Sequence, residues 1–309
     1  VTLIRDLWCL PDEVRGGAIS VGNFDGVHRG HASLLRQLRA MAERVSGPAV
    51  VVTFDPHPAA VLRPGAQPVP LTTLDRRSQL LAAQGVEYTV VCRTDPSLLA
   101  LTSRQFFDDV LCGTLGMRGI VEGPNFFFGR NREGDTHTLL RYCEQAGLPV
   151  EIAAGTTTSG GLVSSTEVRR RIASGDVAVA NALLTAPYRI SGRVISGDSR
   201  GRLIGFPTAN LGDIKTLIPA PGVYATQVEL AGIRYVSATH IGPNPTFDSQ
   251  EAGKVETHIL DFTGDLYGQT LNIDFVARIR DVVRFATVEL LVEQLKHDLV
   301  AVRAASLVP

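Results

Sequence analysis

Two histidines stand three residues apart in Gly22-Asn23-Phe24-Asp25-Gly26-Val27-His28-Arg29-Gly30-His31. At a helix start this spacing puts both imidazoles on one face, and Gly30 between them removes the side chain that would block an approaching phosphate. Two imidazole donors beside one phosphoryl group stabilise the charge of a pentacoordinate transition state without a covalent step. The apolar run Ala18–Val21 precedes the segment and a helical pattern follows it. Gly22, Asn23, Phe24 and Asp25 therefore fall at a strand end, where open α/β sheets bind ligands and free N–H groups attract anions. The competing reading is a tight turn with ordinary surface histidines. A second segment, Ser164-Ser165-Thr166-Glu167-Val168-Arg169, places hydroxyls and N–H groups at a helix start with Arg169 one turn in. Alone it is a capping box, Ser164 with Glu167 at the third position. Paired with the His-x-Gly-His loop it reads as a phosphate site.

The other half carries its own set. In Gly201-Arg202-Leu203-Ile204-Gly205-Phe206-Pro207-Thr208-Ala209-Asn210, Gly201 and Gly205 let successive backbone N–H groups face a polyphosphate. The Thr208 hydroxyl and the Asn210 carboxamide are hard oxygen ligands of the kind Mg²⁺ accepts beside substrate phosphates. A plain glycine-rich hairpin is the alternative. Downstream, alternation along a predicted strand puts Glu256, His258 and Leu260 on one face, with Glu256 either a candidate general base or a solvated face residue. Gly129-x-x-x-x-Gly134-Asp135-Thr136 has P-loop spacing, but Asp135 stands at the lysine position and would repel phosphate. No G-x-G-x-x-G follows a strand and no H-E-x-x-H occurs, which leaves dehydrogenase and zinc-protease readings without support.

These residues need elements to hold them. Strands are predicted at 18–21, 49–54, 86–92, 119–122 and 148–153. Helices are predicted on the face Leu34, Leu35, Leu38, Met41 and Val45, and over 75–84, 103–111 and 136–146. Such alternation implies an α/β fold with a doubly wound parallel sheet. Two further helices follow, one opened by Ser164 or Ser165 and one over 177–184. After Ala186-Pro187 the pattern changes to strand-like runs at 188–196, 223–230, 233–241, 254–262 and 270–278 with no helix between them. Ala231-Gly232 reads as a hairpin turn, and the antiparallel succession closes most simply into a small barrel. A terminal helix over 288–306 carries Leu290, Leu291, Leu295, Leu299, Val302 and Leu307 as a core-facing stripe. The division predicted is 1–186 and 187–309.

Composition bounds the partners. With 309 residues, 44% of them apolar, the chain fills about two domains. Thirty Lys+Arg against 31 Asp+Glu give a net charge of −1, without the basic excess that nonspecific nucleic-acid binding requires. No apolar run approaches the roughly 18 residues of a membrane span, and Arg5-Asp6 interrupts the start before a signal-like core develops. Cys9, Cys92, Cys112 and Cys143 form no C-x-x-C pair and read as core thiols in a reducing compartment. The expectation is a soluble cytoplasmic enzyme that binds neither nucleic acid nor membrane.

The His-x-Gly-His loop with the Ser/Thr-rich helix start and its arginine resembles the His-x-Gly-His nucleotidylyltransferase superfamily. Phe54-Asp55-Pro56-His57-Pro58 and Gly123-Pro124-Asn125-Phe126-Phe127-Phe128-Gly129-Arg130-Asn131-Arg132-Glu133-Gly134 look like the intervening motifs of one branch, the bacterial bifunctional FAD synthetases. Gly205-Phe206-Pro207-Thr208-Ala209-Asn210, with Pro221-Gly222-Val223-Tyr224-Ala225, Pro245-Thr246-Phe247 and Asp265-Leu266-Tyr267-Gly268, looks like the riboflavin kinase module of the same family. The resemblance implies ATP phosphates on His28, His31, Ser164, Ser165 and Arg169, with Asn125 near ATP and Mg²⁺. It implies Mg·ATP held by Thr208 and Asn210, and Glu256 taking the proton of the ribityl 5′-hydroxyl. Substrates and products would be riboflavin, FMN, FAD and ATP. The alternative is a transferase active only in its first domain, with the barrel a flavin-binding regulator. Two positions depart from the family pattern: His240 stands where asparagine is usual, and Val282 where an acidic residue is usual. Both fall on the flavin side.

Overall fold

The computed structural model describes residues 2–65, 67–158, 161–197, 200–242 and 254–307. Its contacts divide into two units, Val1–Val69 with Leu74–Ser164, and Pro70–Thr73 with Ser165–Pro309.

The first unit is a parallel sheet of six strands: β1 (Thr2–Ile4), β2 (Ala18–Val21), β3 (Ala49–Asp55), β4 (Tyr88–Arg93), β5 (Gly119–Glu122) and β6 (Val150–Ile152). Their order is β1-β4-β3-β2-β5-β6, and every pairing is parallel. The chain leaves β2 towards β3 on one side and enters β5 on the other, so the topological switch lies between β2 and β5, where such sheets open a crevice at the strands' carboxyl ends. β2 and β5 are buried along their whole length, as a sheet covered on both faces requires. The Arg29–Arg44 helix lays Leu34, Leu35, Leu38 and Met41 against it, and Val45, expected on that face, is the half-buried residue ending the helix.

Sequence periodicity missed β1, whose three residues are too few to show alternation. The helix predicted over 103–111 is instead one α-turn, Ser103–Gln105, running into a π-helical stretch, Phe106–Thr114, in which the Leu115 N–H donates five residues back to the Val110 carbonyl at 3.0 Å. The four cysteines are free thiols, and burial pushes Cys92 and Cys143 up to about 12. Cys9, expected in the core, is exposed.

In the second unit six strands close into an antiparallel barrel: β9 (Arg189–Ile195), β10 (Ala209–Gly212), β11 (Gly222–Leu230), β12 (Ile233–Gly242), β13 (Lys254–Ile259) and β14 (Thr270–Arg280), with a small hairpin of β7 (Thr157–Thr158) and β8 (Gly161–Leu162) preceding them in the chain, in the first unit. Two features differ from the sequence reading. The Thr-Ala-Asn end of the loop is itself strand β10, which bridges β9 and β13 and so closes the barrel. The loop before it contains one helical turn, Arg200–Leu203. At Ala231-Gly232 both residues have positive φ, 48° and 80°, as the tight turn of a right-twisted hairpin needs. The family-like Pro245-Thr246-Phe247 lies outside the described residues.

The barrel wall is buttressed twice. The Val288–Ser306 helix packs on β11, β12 and β14, and Asp298 takes a bidentate hydrogen bond from Arg280 at 2.7–3.1 Å. Of its predicted stripe only Val302 is fully buried; Leu291, Leu295 and Leu299 are half-buried, and Leu290 and Leu307 are exposed. The Val177–Leu183 helix packs on β14, burying Val177 and Ala180. Asn181 there donates to the Phe275 carbonyl and accepts from the Tyr188 N–H, both at 2.8 Å.

A fragment beginning at residue 187 loses both Asn181 bonds and this apolar face, whereas one beginning at Ser165 keeps them. Thermal unfolding of 187–309 is expected several degrees below that of 165–309, since each kcal/mol lost moves the midpoint of a domain between these size classes by roughly 3–5 °C. Equal midpoints would remove the helix from the barrel's stability.

Candidate active sites

The first site is built on the end of β2. His28 caps the Arg29–Arg44 helix: its Nδ1 accepts the His31 N–H at 3.2 Å, and His31 Nδ1 accepts the His28 N–H at 3.3 Å. This reciprocal cap stacks the two rings, with centroids 3.6 Å apart and planes 14° from parallel. Because each Nδ1 lone pair is engaged, each neutral ring carries its proton on Nε2 and presents it as a donor. Burial pushes His28 down to about 4. It pushes His31 well below the ordinary histidine value, and His28 and the Arg77 guanidinium add to the effect. The pair is therefore two neutral donors at pH 7. Gly30 has a reason beyond room for phosphate: a Cβ there would stand 3.0 Å from the His28 ring and 3.2 Å from the Val163 carbonyl.

The loop leading to the pair is strained. Phe24 and the β-branched, fully buried Val27 hold positive φ of 47° and 41°, and such outliers persist only where the surroundings over-determine them. The surroundings include Arg77, buried on the Leu74–Ala83 helix, which donates to the Thr53 hydroxyl at 3.1 Å and pairs with buried Asp25 at 3.4 Å. Thr53 in turn donates to the Asn23 carbonyl. On the neighbouring strand end, His57 caps Pro58–Leu62 through Nδ1 and meets the Asn23 amide at Nε2, 3.0 Å away. Asp25 is thus a partner of Arg77 deep in the loop as well as a member of the candidate phosphate-binding segment. Sequence reading missed Arg77, although its place three and four residues before Leu80 and Leu81 puts a cation on that helix's buried face.

Asn125 is exposed in the turn after β5, where the Phe126 N–H donates to the Gly123 carbonyl. Val163 packs at Gly30, which brings the residue before Ser164 to the histidine turn. Ser165, Thr166 and Arg169 open the Ser165–Ala173 helix, which groups with the second unit. Glu167 there is paired with Arg170 and Arg171, which hold it at about 2. In the rejected P-loop spacing, Gly134 and Phe128 exchange two backbone bonds and Asp135 caps Thr136–Ala146, so neither serves an anion cradle.

The second site lies on the barrel's outer wall. Val255, Thr257 and Ile259 of β13 are buried, and Glu256 and His258 alternate with them on the other face. Leu260, expected on the Glu256 face, follows the end of the strand and is buried. Register puts Glu256 directly opposite Asn210 on one side and His240 on the other. Asn210 packs so closely on Gly197 that a Cβ there would stand 2.2 Å from its amide nitrogen. The Gly201–Asn210 loop is fastened by His258, whose Nδ1 meets the Pro207 carbonyl at 2.7 Å. Thr208 is exposed. Burial, reinforced by Arg280, pushes His240 down to about 4. Val282 lies 3.4 Å from where a Cβ on Gly242 would stand, two residues beyond His240 in the chain. Among the described residues no cluster of three His, Cys, Asp or Glu side chains could hold a metal. A neutral hydroxyl and amide such as Thr208 and Asn210 fit Mg²⁺ only when substrate phosphates complete its shell.

The pattern of the FAD synthetase family matches residues 10–167, and that of riboflavin kinase residues 184–306. A bifunctional riboflavin kinase/FMN adenylyltransferase from Pseudomonas fluorescens is 36% identical over 98% of this chain and 97% of its own length. This chain belongs to that bifunctional family. The Escherichia coli K12 protein of the same description is also 36% identical, over 96% of this chain and 94% of its own. The fold agrees with a crystal structure from Streptococcus pneumoniae described as a macrolide-efflux protein, at 34% identity and TM-score 0.85 over 94% of both chains. Among the described residues no helix is long and apolar enough to cross a membrane. The two family patterns divide where the parallel sheet gives way to the barrel, so each candidate site falls within one of them except for Arg169, two residues beyond the first pattern.

The histidine cap makes stability depend on pH. Both rings titrate below the unfolded value of about 6.5, so on acidification the unfolded chain takes up these protons first. The cap's contribution is complete above about pH 6.5 and is lost as pH falls towards the His28 value of about 4. From His28 alone, urea unfolding at pH 7 and 4.5 should differ by about 2–3 kcal/mol, and His31 adds in the same direction. The difference should shrink in His28→Asn, which still caps but does not titrate. An equal drop in both proteins would assign the acid sensitivity elsewhere.

Proposed function

We propose that the chain makes FMN from riboflavin and ATP on its barrel, and FAD from FMN and ATP on its parallel-sheet unit. The observation that supports this most is that two family patterns fall on two different folds of one chain, each with its own set of phosphate-handling residues. The catalytic division lies near residue 186. Balanced charge and free thiols support a cytoplasmic setting.

In adenylyl transfer an FMN phosphate oxygen attacks the α-phosphorus of ATP, the bond to the β-phosphate oxygen breaks, and pyrophosphate leaves. The chain's part is electrostatic. His28 and His31 donate their Nε2 protons to the α-phosphoryl oxygens, and remaining neutral keeps each ring a donor in one fixed tautomer. Gly22–Asp25 and the Ser164 hydroxyl line the polyphosphate and Asn125 contacts the nucleotide, and the family resemblance also gives Ser165, Thr166 and Arg169 to the ATP phosphates.

In phosphoryl transfer the ribityl 5′-hydroxyl attacks the γ-phosphorus and ADP leaves. Glu256 accepts the hydroxyl proton, and its neighbours Asn210 and His240 hold it between two strands. Thr208 and Asn210 would hold Mg²⁺ with the nucleotide, and the ion would offset charge on the β- and γ-phosphates. Gly201 and Gly205 let the loop's amides approach them.

Riboflavin, ATP and Mg²⁺ incubated with the chain should yield FMN and then FAD on chromatography. ADP release separates this reading from a barrel that only binds flavin. His28→Ala should cut FAD formation by about 10²–10³ while FMN formation continues. Glu256→Gln should cut FMN formation by about 10²–10⁴ with supplied FMN still converted to FAD. Parent rates in either variant would remove that residue from the mechanism.

A further inference from the structure

Glu122 ends β5 and is 2% exposed, a carboxyl inside the sheet that no step above uses. Its surroundings are set by where the ladders stop. β2 and β5 pair only at Ala18 with Gly119 and Ile19 with Ile120. Each strand stays paired to its outer neighbour for longer: β2 to β3 through Val21 and Val52, and β5 to β6 through Glu122 and Ile152. The Gly22 N–H continues to the Val52 carbonyl and the Ala153 N–H to the Glu122 carbonyl. Beyond Ile19 and Ile120 the two central strands therefore part, and this parting is the crevice at the topological switch.

The Val21 N–H faces that parting, where no β5 carbonyl pairs with it. Glu122 Oε1 accepts it at 2.6 Å, and the Gly123 N–H also hydrogen-bonds the carboxyl. One side chain thus holds the last amide before the Gly22–His28 loop and the first amide of the turn that carries Asn125. A hydrophobic side chain here would leave a buried N–H unpaired. A shorter acid would draw the two loops together.

We infer that Glu122 is a positioning residue for adenylyl transfer, fixing the separation of the loop that ends at His28 and His31 from the turn that carries Asn125. The inference rests on the reading that those residues serve this reaction. Misplacement of reacting groups by about 1 Å costs about 10²-fold in rate, so spacing is worth this much without any contact to substrate. Burial raises the Glu122 carboxyl well above the usual carboxylate range. Glutamine keeps the Oε1 acceptor for the Val21 N–H and the length of the side chain.

The test compares Glu122→Leu, Glu122→Gln and Glu122→Asp in the full chain. Each reaction is assayed separately with riboflavin or FMN supplied, and barrel activity serves as the internal control for a folded protein. Expected for Glu122→Leu and Glu122→Asp is a 10- to 100-fold fall in kcat for FMN to FAD, with riboflavin phosphorylation at the parent rate. Glu122→Gln should stay within about threefold of the parent. A purely structural role predicts a lower unfolding temperature in Glu122→Leu with unchanged kcat and ATP KM well below it, and that result overturns the inference. Glu122→Gln as slow as Glu122→Leu overturns it too, because the acceptor is then not what matters. His28→Ala run alongside separates the two levels. If it is inactive while Glu122→Leu is at the parent rate, only the positioning role fails. A parent rate in His28→Ala overturns the site reading and this inference with it.

Discussion

An imidazole has two nitrogens, and in the first site the fold occupies one on each ring. His28 and His31 each accept the other's backbone N–H, so helix capping, ring stacking, tautomer and charge state follow from one reciprocal arrangement. A protonated ring could not accept at Nδ1, and burial independently opposes protonation. The same two bonds that start the helix thus leave two Nε2–H donors side by side. The geometry of the donor pair is a by-product of a well-made helix terminus.

What surrounds the pair keeps it from relaxing. Positive φ at Phe24 and Val27 opposes the loop's conformation, and the Arg77–Asp25–Thr53–Asn23 chain of contacts opposes its escape. Arg77 also depresses His31 electrostatically, so one guanidinium shapes the backbone and the charge of the site. Removing it would take the guanidinium from beside a buried carboxylate, which is more costly than the pair is stabilising. The loop is held from the opposite flank by the His57 contact with Asn23.

The barrel puts its candidate site outside for a reason of volume. Its interior carries a chain of hydroxyl contacts, Thr226 to Ser237 and Thr239, and Thr239 to Thr257, at 2.7–2.9 Å. Small closed barrels are filled by their own side chains. Strand alternation then sends Asn210, Glu256 and His240 to the outer face as one row across three strands. Closure by β10 is what places Asn210 in that row, since as a loop residue it would have no register with Glu256.

The sequence by itself determined the things that depend on local spacing. His28 and His31 on one helix turn, parallel α/β alternation, the change of pattern near Pro187, the Ala231-Gly232 turn and the face shared by Glu256 and His258 are all consequences of periods of 3.6 and 2 read within a few residues. Tertiary structure decided what depends on partners distant in the chain. Arg77 meets Asp25 across 52 positions and Glu122 meets Val21 across 101, so neither role has a local signature beyond a charged residue in an apolar context. β1 is too short to show a period and exists because β4 offers it a ladder. β10 looked like a loop because its glycine-, proline- and asparagine-rich surroundings carry turn propensity, and pairing on both edges overrode that propensity. The exposure of Leu290 and Leu307 has the same origin, because a helix buries only the part of its apolar stripe that another element reaches.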